Sequence, residues 1–226
     1  MSGARCIGPR SPGKRGGVTT RTLVLGDWHP AVRDPLDLLR GAFVAGAIVL
    51  AVLGQGGAVN LAVAAMAVVG VRFLNLPRPF DLAFILAMAL TGGGEAFRLY
   101  DHFGYYDVVV HFLVPLFGAP CVYIALARLD TLPDPADALG SARHVAGIFV
   151  VTFALGLAIG ALWEILEWVS DHAFGSRLQL GESDTIGDLV ADGVGALGGG
   201  GFLAAWTVFG WATIRRLPGG AESRDD

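Results

Sequence analysis

The chain is poor in charge. Only 16% of its 226 residues are Asp, Glu, Lys or Arg, against about 25% in soluble domains. Its net charge of −4 gives no basic surface for nucleic acid. The two cysteines, Cys6 and Cys121, stand far apart. They exclude a disulfide scaffold and do not identify a redox compartment. No Ser, Cys or Thr stands in a nucleophile motif, which removes the common routes to covalent catalysis. Disorder needs low hydrophobicity, and 54% hydrophobic residues exclude it for the body of the chain. What is present instead is a series of long uncharged runs, and these predict an integral membrane protein.

A bilayer core of roughly 30 Å takes about 20 helical residues. Residues 41–71 carry no charge and would form a helix of about 46 Å, too long for one upright span. The run Gly54-Gln55-Gly56-Gly57 in its middle is a turn signal. Two helices are therefore expected, near 38–54 and 57–75. Further spans are expected at 81–97 (interrupted late by Gly92-Gly93-Gly94), 108–127 (with Pro115 and Pro120 inside), 144–169 and 187–214. The fold class is thus all-α, a polytopic transmembrane bundle of about six spans. Residues 36–216 form that domain. A basic tail expected to be disordered (1–35) precedes it, and a short polar tail (217–226) follows. Asp34 and Pro35 suit the cap and first turn of the first helix. No secretory signal, soluble second domain or internal repeat is expected.

Loop charge sets orientation. With six spans and both termini cytoplasmic, the inner side holds Arg5, Arg10, Lys14, Arg15, Arg21, Arg33, Arg40, Arg72, Arg78, Arg128, Arg143, Arg215, Arg216 and Arg224. Only Arg98 and Arg177 then lie outside. Reading 41–75 as one tilted helix gives five spans and splits the same charges nearly evenly. The asymmetry favours six.

On that map the ionisable residues gather at the outer helix ends. Glu95 and Arg98 end the third span. Asp107 and His111 open the fourth at i, i+4. Glu164 and Glu167 close the fifth at i, i+3, with Asp171 beyond. Asp184, Asp188 and Asp192 open the sixth at i, i+4, i+8. Each spacing puts its residues on one helix face. Ionisable groups at such depth cost about 2.5–3.5 kcal/mol on insertion scales and mark function. Carboxylates brought together raise one another's pKa or need a cation, for which Arg98, Arg177 or a divalent metal are the candidates. Carboxylates with one imidazole suit Mg²⁺, Mn²⁺, Fe²⁺ or Zn²⁺. The candidate ligands are Asp107, His111, Glu164, Asp188 and Asp192, with Glu167 as candidate general base and Glu95, Arg98 and Asp184 in support.

Structural readings compete with these. Asp184 and Asp188 suit the positive end of a helix dipole. Glu167 and Asp171 suit a solvated helix exit. His29, His102, His144 and His172 suit loops or the interface. Tyr105, Tyr106, Trp163 and Trp168 fit an aromatic belt. Gly156-x-x-x-Gly160 and Gly195-x-x-x-Gly199 are close-packing faces, open to a second copy or a membrane partner.

Three blocks carry a resemblance: Tyr106-Asp107-Val-Val-Val-His111-Phe112, Trp163-Glu164-Ile-Leu-Glu167-Trp168, and Asp184-Thr185-Ile-Gly187-Asp188 continuing through Asp192 to Gly195. In order and spacing they resemble the YjdF-type family of bacterial inner-membrane proteins, with Gly187 where that family often has Trp. A weaker similarity is to the VanZ-like membrane proteins. The resemblance implies a multi-pass protein of the bacterial cytoplasmic membrane. Three functions are then open. One is an outward-facing metal site acting on an envelope or lipid-linked substrate. Another is a structural or regulatory membrane subunit. The third is a proton- or cation-linked transporter, which the apolar inner half disfavours.

Overall fold

A computed structural model describes residues 35–55, 57–74, 76–135, 141–174 and 181–209. The tail at 1–34 with Cys6, His29 and Asp34, the loop residue Arg177, and the segment 210–226 lie outside the described residues. Seven helices follow in order: α1 (Pro35–Val52), α2 (Ala58–Phe73), α3 (Arg78–Ala96), the single-turn α4 (Leu99–His102), α5 (Tyr106–Arg128), α6 (Ala142–Phe174) and α7 (Glu182–Phe209). No strand occurs among the described residues. The six long helices coincide with the six runs expected from hydropathy. Four of them, α1, α5, α6 and α7, have the length and apolarity to cross a bilayer. Helix α2 is apolar but has 16 residues, and α3 carries Arg78, Asp81 and Glu95.

The turn between α1 and α2 forms where the glycines predict it. Gly54 and Gly57 have φ of 63° and 76°, conformations that glycine adopts without steric cost. Gly57 also lies against the backbone of Ala96 at the end of α3, where a Cβ would come within 2.8 Å of the Ala96 nitrogen. The run Gly92-Gly93-Gly94 does not interrupt α3. It stays helical and lets Leu61 and Ala64 of α2 approach at Gly92 and the rings of Tyr100 and Tyr106 approach at Gly94.

Contacts define the path. Arg40 meets Val68, Leu61 meets Gly92, Phe80 meets Cys121, and Gly156 meets Ala119. Each pair of successive long helices is therefore antiparallel. Helix α7 also runs beside α5 in parallel, with Gly195 against the Phe112 carbonyl and Gly199 against the carbonyls of Pro115 and Leu116. Pro120 explains part of this contact. It has no N–H, so the Leu116 carbonyl lacks its helical donor, and glycine lets the neighbouring backbone approach that carbonyl. Gly156 and Gly160 likewise face Ala196 and Asp192. Both expected small-residue faces are thus used inside the chain and are not left open for a partner.

At one end of the bundle Phe80, Cys121, Tyr123, Ile124, Leu203 and Trp206 form the apolar core. Beside it is a buried ionic network that the sequence reading treated as loop charge. The Arg40 guanidinium donates to Asp37 (2.9 Å), to Asp81 and to the Val68 carbonyl (2.9 Å). Arg72 donates to Asp37 at 2.8 Å. Arg128, also counted as a loop charge, is buried as well. Arg40 and Asp81 tie the start of α1 to that of α3, and Phe80 ties the latter to Trp206 near the end of α7. The two ends of the described chain therefore lie at the same end of the bundle.

A candidate metal centre between α5, α6 and α7

The opposite end holds the acidic residues. Helix α5 starts there, α6 finishes there, and α7 starts there. Asp107 and His111 share one face of α5, separated by one turn of about 6 Å. His111 is central. Its side chain is 2% exposed. The Nδ1 edge faces both oxygens of Asp192, at 3.2 and 3.3 Å. The Nε2 edge faces Glu164 Oε1 at 3.6 Å and Asp107 Oδ1 at 3.8 Å. These two distances are too long for hydrogen bonds, and buried Nε2 has no hydrogen-bond partner.

Two sets of ligand atoms converge here: those of Asp107, His111 and Asp188, and those of His111, Glu164 and Glu167, each set within 4.8 Å. Glu164 and Asp188 are 6% and 2% exposed, while Asp107 and Glu167 are half-buried. The Trp163 indole donates to Glu167 Oε1 at 2.8 Å and meets the His111 ring edge-on at 6.4 Å between centroids. Such an indole bond holds a carboxylate in place one turn along the same helix.

Asp107, His111, Glu164, Glu167 and Asp188 are thus brought together. Asp192 joins them only through the far edge of the imidazole. Asp184 is half-buried in the first turn of α7, where an acidic residue favours the helix dipole, and Asp188 lies a turn deeper, inside the cluster rather than at a cap. Glu95 and Arg98 do not join. Glu95 is exposed, and Arg98 is 76% exposed and paired with Asp101 at 2.8 Å. Arg98 takes a left-handed backbone (φ 55°) to start α4.

The aromatic belt is also partly redrawn. Tyr105 and Trp168 are exposed as expected, but Tyr106 is buried and donates its hydroxyl to the Leu90 carbonyl at 2.8 Å. Sequence reasoning did not single out Tyr100. Its ring stands edge-on to Tyr106 at 4.9 Å. Burial, and next the Asp107 carboxylate, push its phenol well above the usual tyrosine value, so it stays protonated. His102 and His172 are exposed and contact the Arg98 and Trp168 carbonyls, and His144 is exposed. All three fit the interfacial reading.

Apolar helices and a buried imidazole–carboxylate cluster define a polytopic helical membrane protein. Residues 38–209 match the family described as predicted membrane protein (DUF2238), and the chain belongs to that family. The YjdF-type resemblance is to this same family, whereas the VanZ-like similarity has no counterpart among the matches. No curated protein and no solved structure matches the chain.

Proposed function

We propose that Asp107, His111, Glu164 and Asp188 hold one divalent metal ion that serves chemistry on an envelope or lipid-linked substrate. One observation carries the reading: a buried imidazole Nε2 without a hydrogen-bond partner, aimed between carboxylates 3.6 and 3.8 Å away. Two ligands of a tetrahedral ion, each about 2.1 Å from it, stand roughly 3.4 Å apart. The gaps at His111 suit that spacing better than they suit a hydrogen bond. The donor set of carboxylates with one imidazole fits Mn²⁺, Mg²⁺, Fe²⁺ or Zn²⁺. Such an ion lowers the pKa of a bound water or polarises a phosphoryl oxygen. Glu167, held by Trp163, is placed to accept the proton from such a water.

Depth supports a lipid-linked substrate. Val108 and Val109 flank Asp107, Ile165 and Leu166 lie between Glu164 and Glu167, and Ile186 and Val190 bracket Asp188. All six are exposed on the bundle surface. Apolar surface at the level of the carboxylates is what a site beside acyl chains requires, and a site in aqueous loops would not carry it. Orientation supports the envelope. Among the described residues Arg78 and Arg143 stand at the starts of α3 and α6, at the end opposite the site, and the site end has only Arg98; the sequence of the two tails adds nine further basic residues to the count expected inside. By the positive-inside rule this favours termini in the cytoplasm and the site on the exterior side. Through-transport is disfavoured, because Val68, Ile124, Ala196 and Leu203, all essentially inaccessible, separate the two polar ends.

The test is metal content. Chain purified in detergent and dialysed against Mn²⁺ or Zn²⁺ is expected to retain about one ion, with His111→Ala and Glu164→Gln retaining almost none. Near-zero metal in all three would end the proposal.

A further inference from the structure

We propose that Asp192 is a positioning residue for His111 and not a metal ligand, and that Gly160 is what gives it room to act. The inference rests on the metal reading above and divides the roles within it. An imidazole presents its two nitrogens on opposite edges, and one ion cannot touch both. Asp107 and Glu164 lie off the Nε2 edge, and both Asp192 oxygens lie off the Nδ1 edge. Asp192 therefore stands behind the ring. It accepts the Nδ1 proton, fixes the ring's rotation, and makes Nε2 the more basic donor, as carboxylates behind metal-bound histidines do.

The packing around Asp192 supports the role. The residue is 1% exposed. Its carboxylate occupies the space that a side chain at position 160 would need, since a Cβ there would collide with it. A cavity of about 10 Å³ lies beside the pair, lined by His111, Gly160, Trp163 and Asp192 with Val110, Val114 and Ile159. That is about the space of one water molecule. The close approach of α6 at Gly160 holds the Asp192 carboxylate on the Nδ1 side of the ring.

The experiment uses the full chain in detergent, labelled with ¹⁵N-histidine and loaded with Zn²⁺. The His111 signals are identified by their loss in His111→Gln. The expected spectrum has zinc on Nε2 and a proton on Nδ1. Zinc on Nδ1 overturns the inference and leaves the metal reading standing. Absence of zinc uptake by the wild type overturns both. Asp192→Asn keeps the shape and removes the charge. It is expected to bind one zinc still, through Nε2, with affinity reduced about 10- to 100-fold and a melting temperature close to wild type. Unchanged affinity overturns the inference, and so does a loss as complete as that of His111→Ala. If Asp192→Asn does not fold, the wild-type spectrum decides alone.

Discussion

Gly160 has room for a hydrogen and no more, because the Asp192 carboxylate lies where its Cβ would be. Gly201, on the neighbouring helix α7, meets nothing within 4 Å. The pair makes a controlled test. Gly160→Ala is expected to cost about 1–3 kcal/mol, the usual range for overpacking, visible as a lower melting temperature in detergent. Gly201→Ala should match the wild type or exceed it slightly, since alanine favours helix. Equal melting temperatures for the two variants would show that Asp192 is not confined as described. At this scale much of the site was legible in the sequence. The i, i+4 and i, i+3 spacings put Asp107 with His111 and Glu164 with Glu167 on shared faces, and three helices then had to meet for the cluster to form. What spacing cannot give is the rotation of a helix about its own axis. Glu95 near the end of α3 and Arg98 just beyond it are at the right end of the bundle yet exposed. Nor does spacing say which edge of an imidazole a carboxylate will face, and the structure has Asp192 at the Nδ1 edge.

At the scale of elements, the ionic network among α1, α2 and α3 is the largest feature that the sequence concealed. Its members are 28 to 41 residues apart where they cross between helices. Each reads in isolation as a charge at a helix end. Within it Arg40 is shared between Asp37 and Asp81. Arg40→Met removes the guanidinium that Asp37 and Asp81 share and puts an apolar side chain in its place. Removing one member of a buried pair costs about 3–5 kcal/mol, whereas replacing both with apolar groups is often close to neutral. Arg40→Met is therefore expected to release α1, seen as early proteolysis between α1 and α2 and a depressed melting temperature. Arg40→Met/Asp81→Leu keeps the Asp37–Arg72 contact at 2.8 Å and should regain most of the loss. A double variant less stable than the single would mean that the network is not the tie between α1 and α3. The helices themselves were well marked in the sequence, because uncharged runs, paired glycines and prolines punctuate them at every turn. Only the glycines of α3 misled. Inside a membrane bundle glycine serves close packing as readily as it ends a helix.

For the whole molecule, the decisive quantity is which end faces out. The even number of long helices puts both ends of the described chain on the same side, and this follows from contacts alone. The direction follows from charge, and the structure narrows that argument. Arg40, Arg72 and Arg128 are buried in the bundle, so they do not act as loop charges. Among the described residues Arg78 and Arg143 stand against Arg98, and the count expected from the sequence sets nine basic residues of the tails against Arg177. It remains one-sided, and the cytoplasmic side is expected to hold the termini. Single cysteines test this in a Cys6→Ser background, where the remaining Cys121 is buried in α5. Gly104→Cys lies in the exposed turn between α4 and α5 at the site end, where a side chain meets open space. Thr131→Cys lies in the exposed segment after α5 at the other end. In intact cells a membrane-impermeant maleimide should label Gly104→Cys at once and Thr131→Cys only after the cells are opened. The reverse pattern would put the imidazole–carboxylate cluster in the cytoplasm. A metal there would have to act on a substrate in the inner leaflet, and the envelope assignment would fall while the ligand geometry stood.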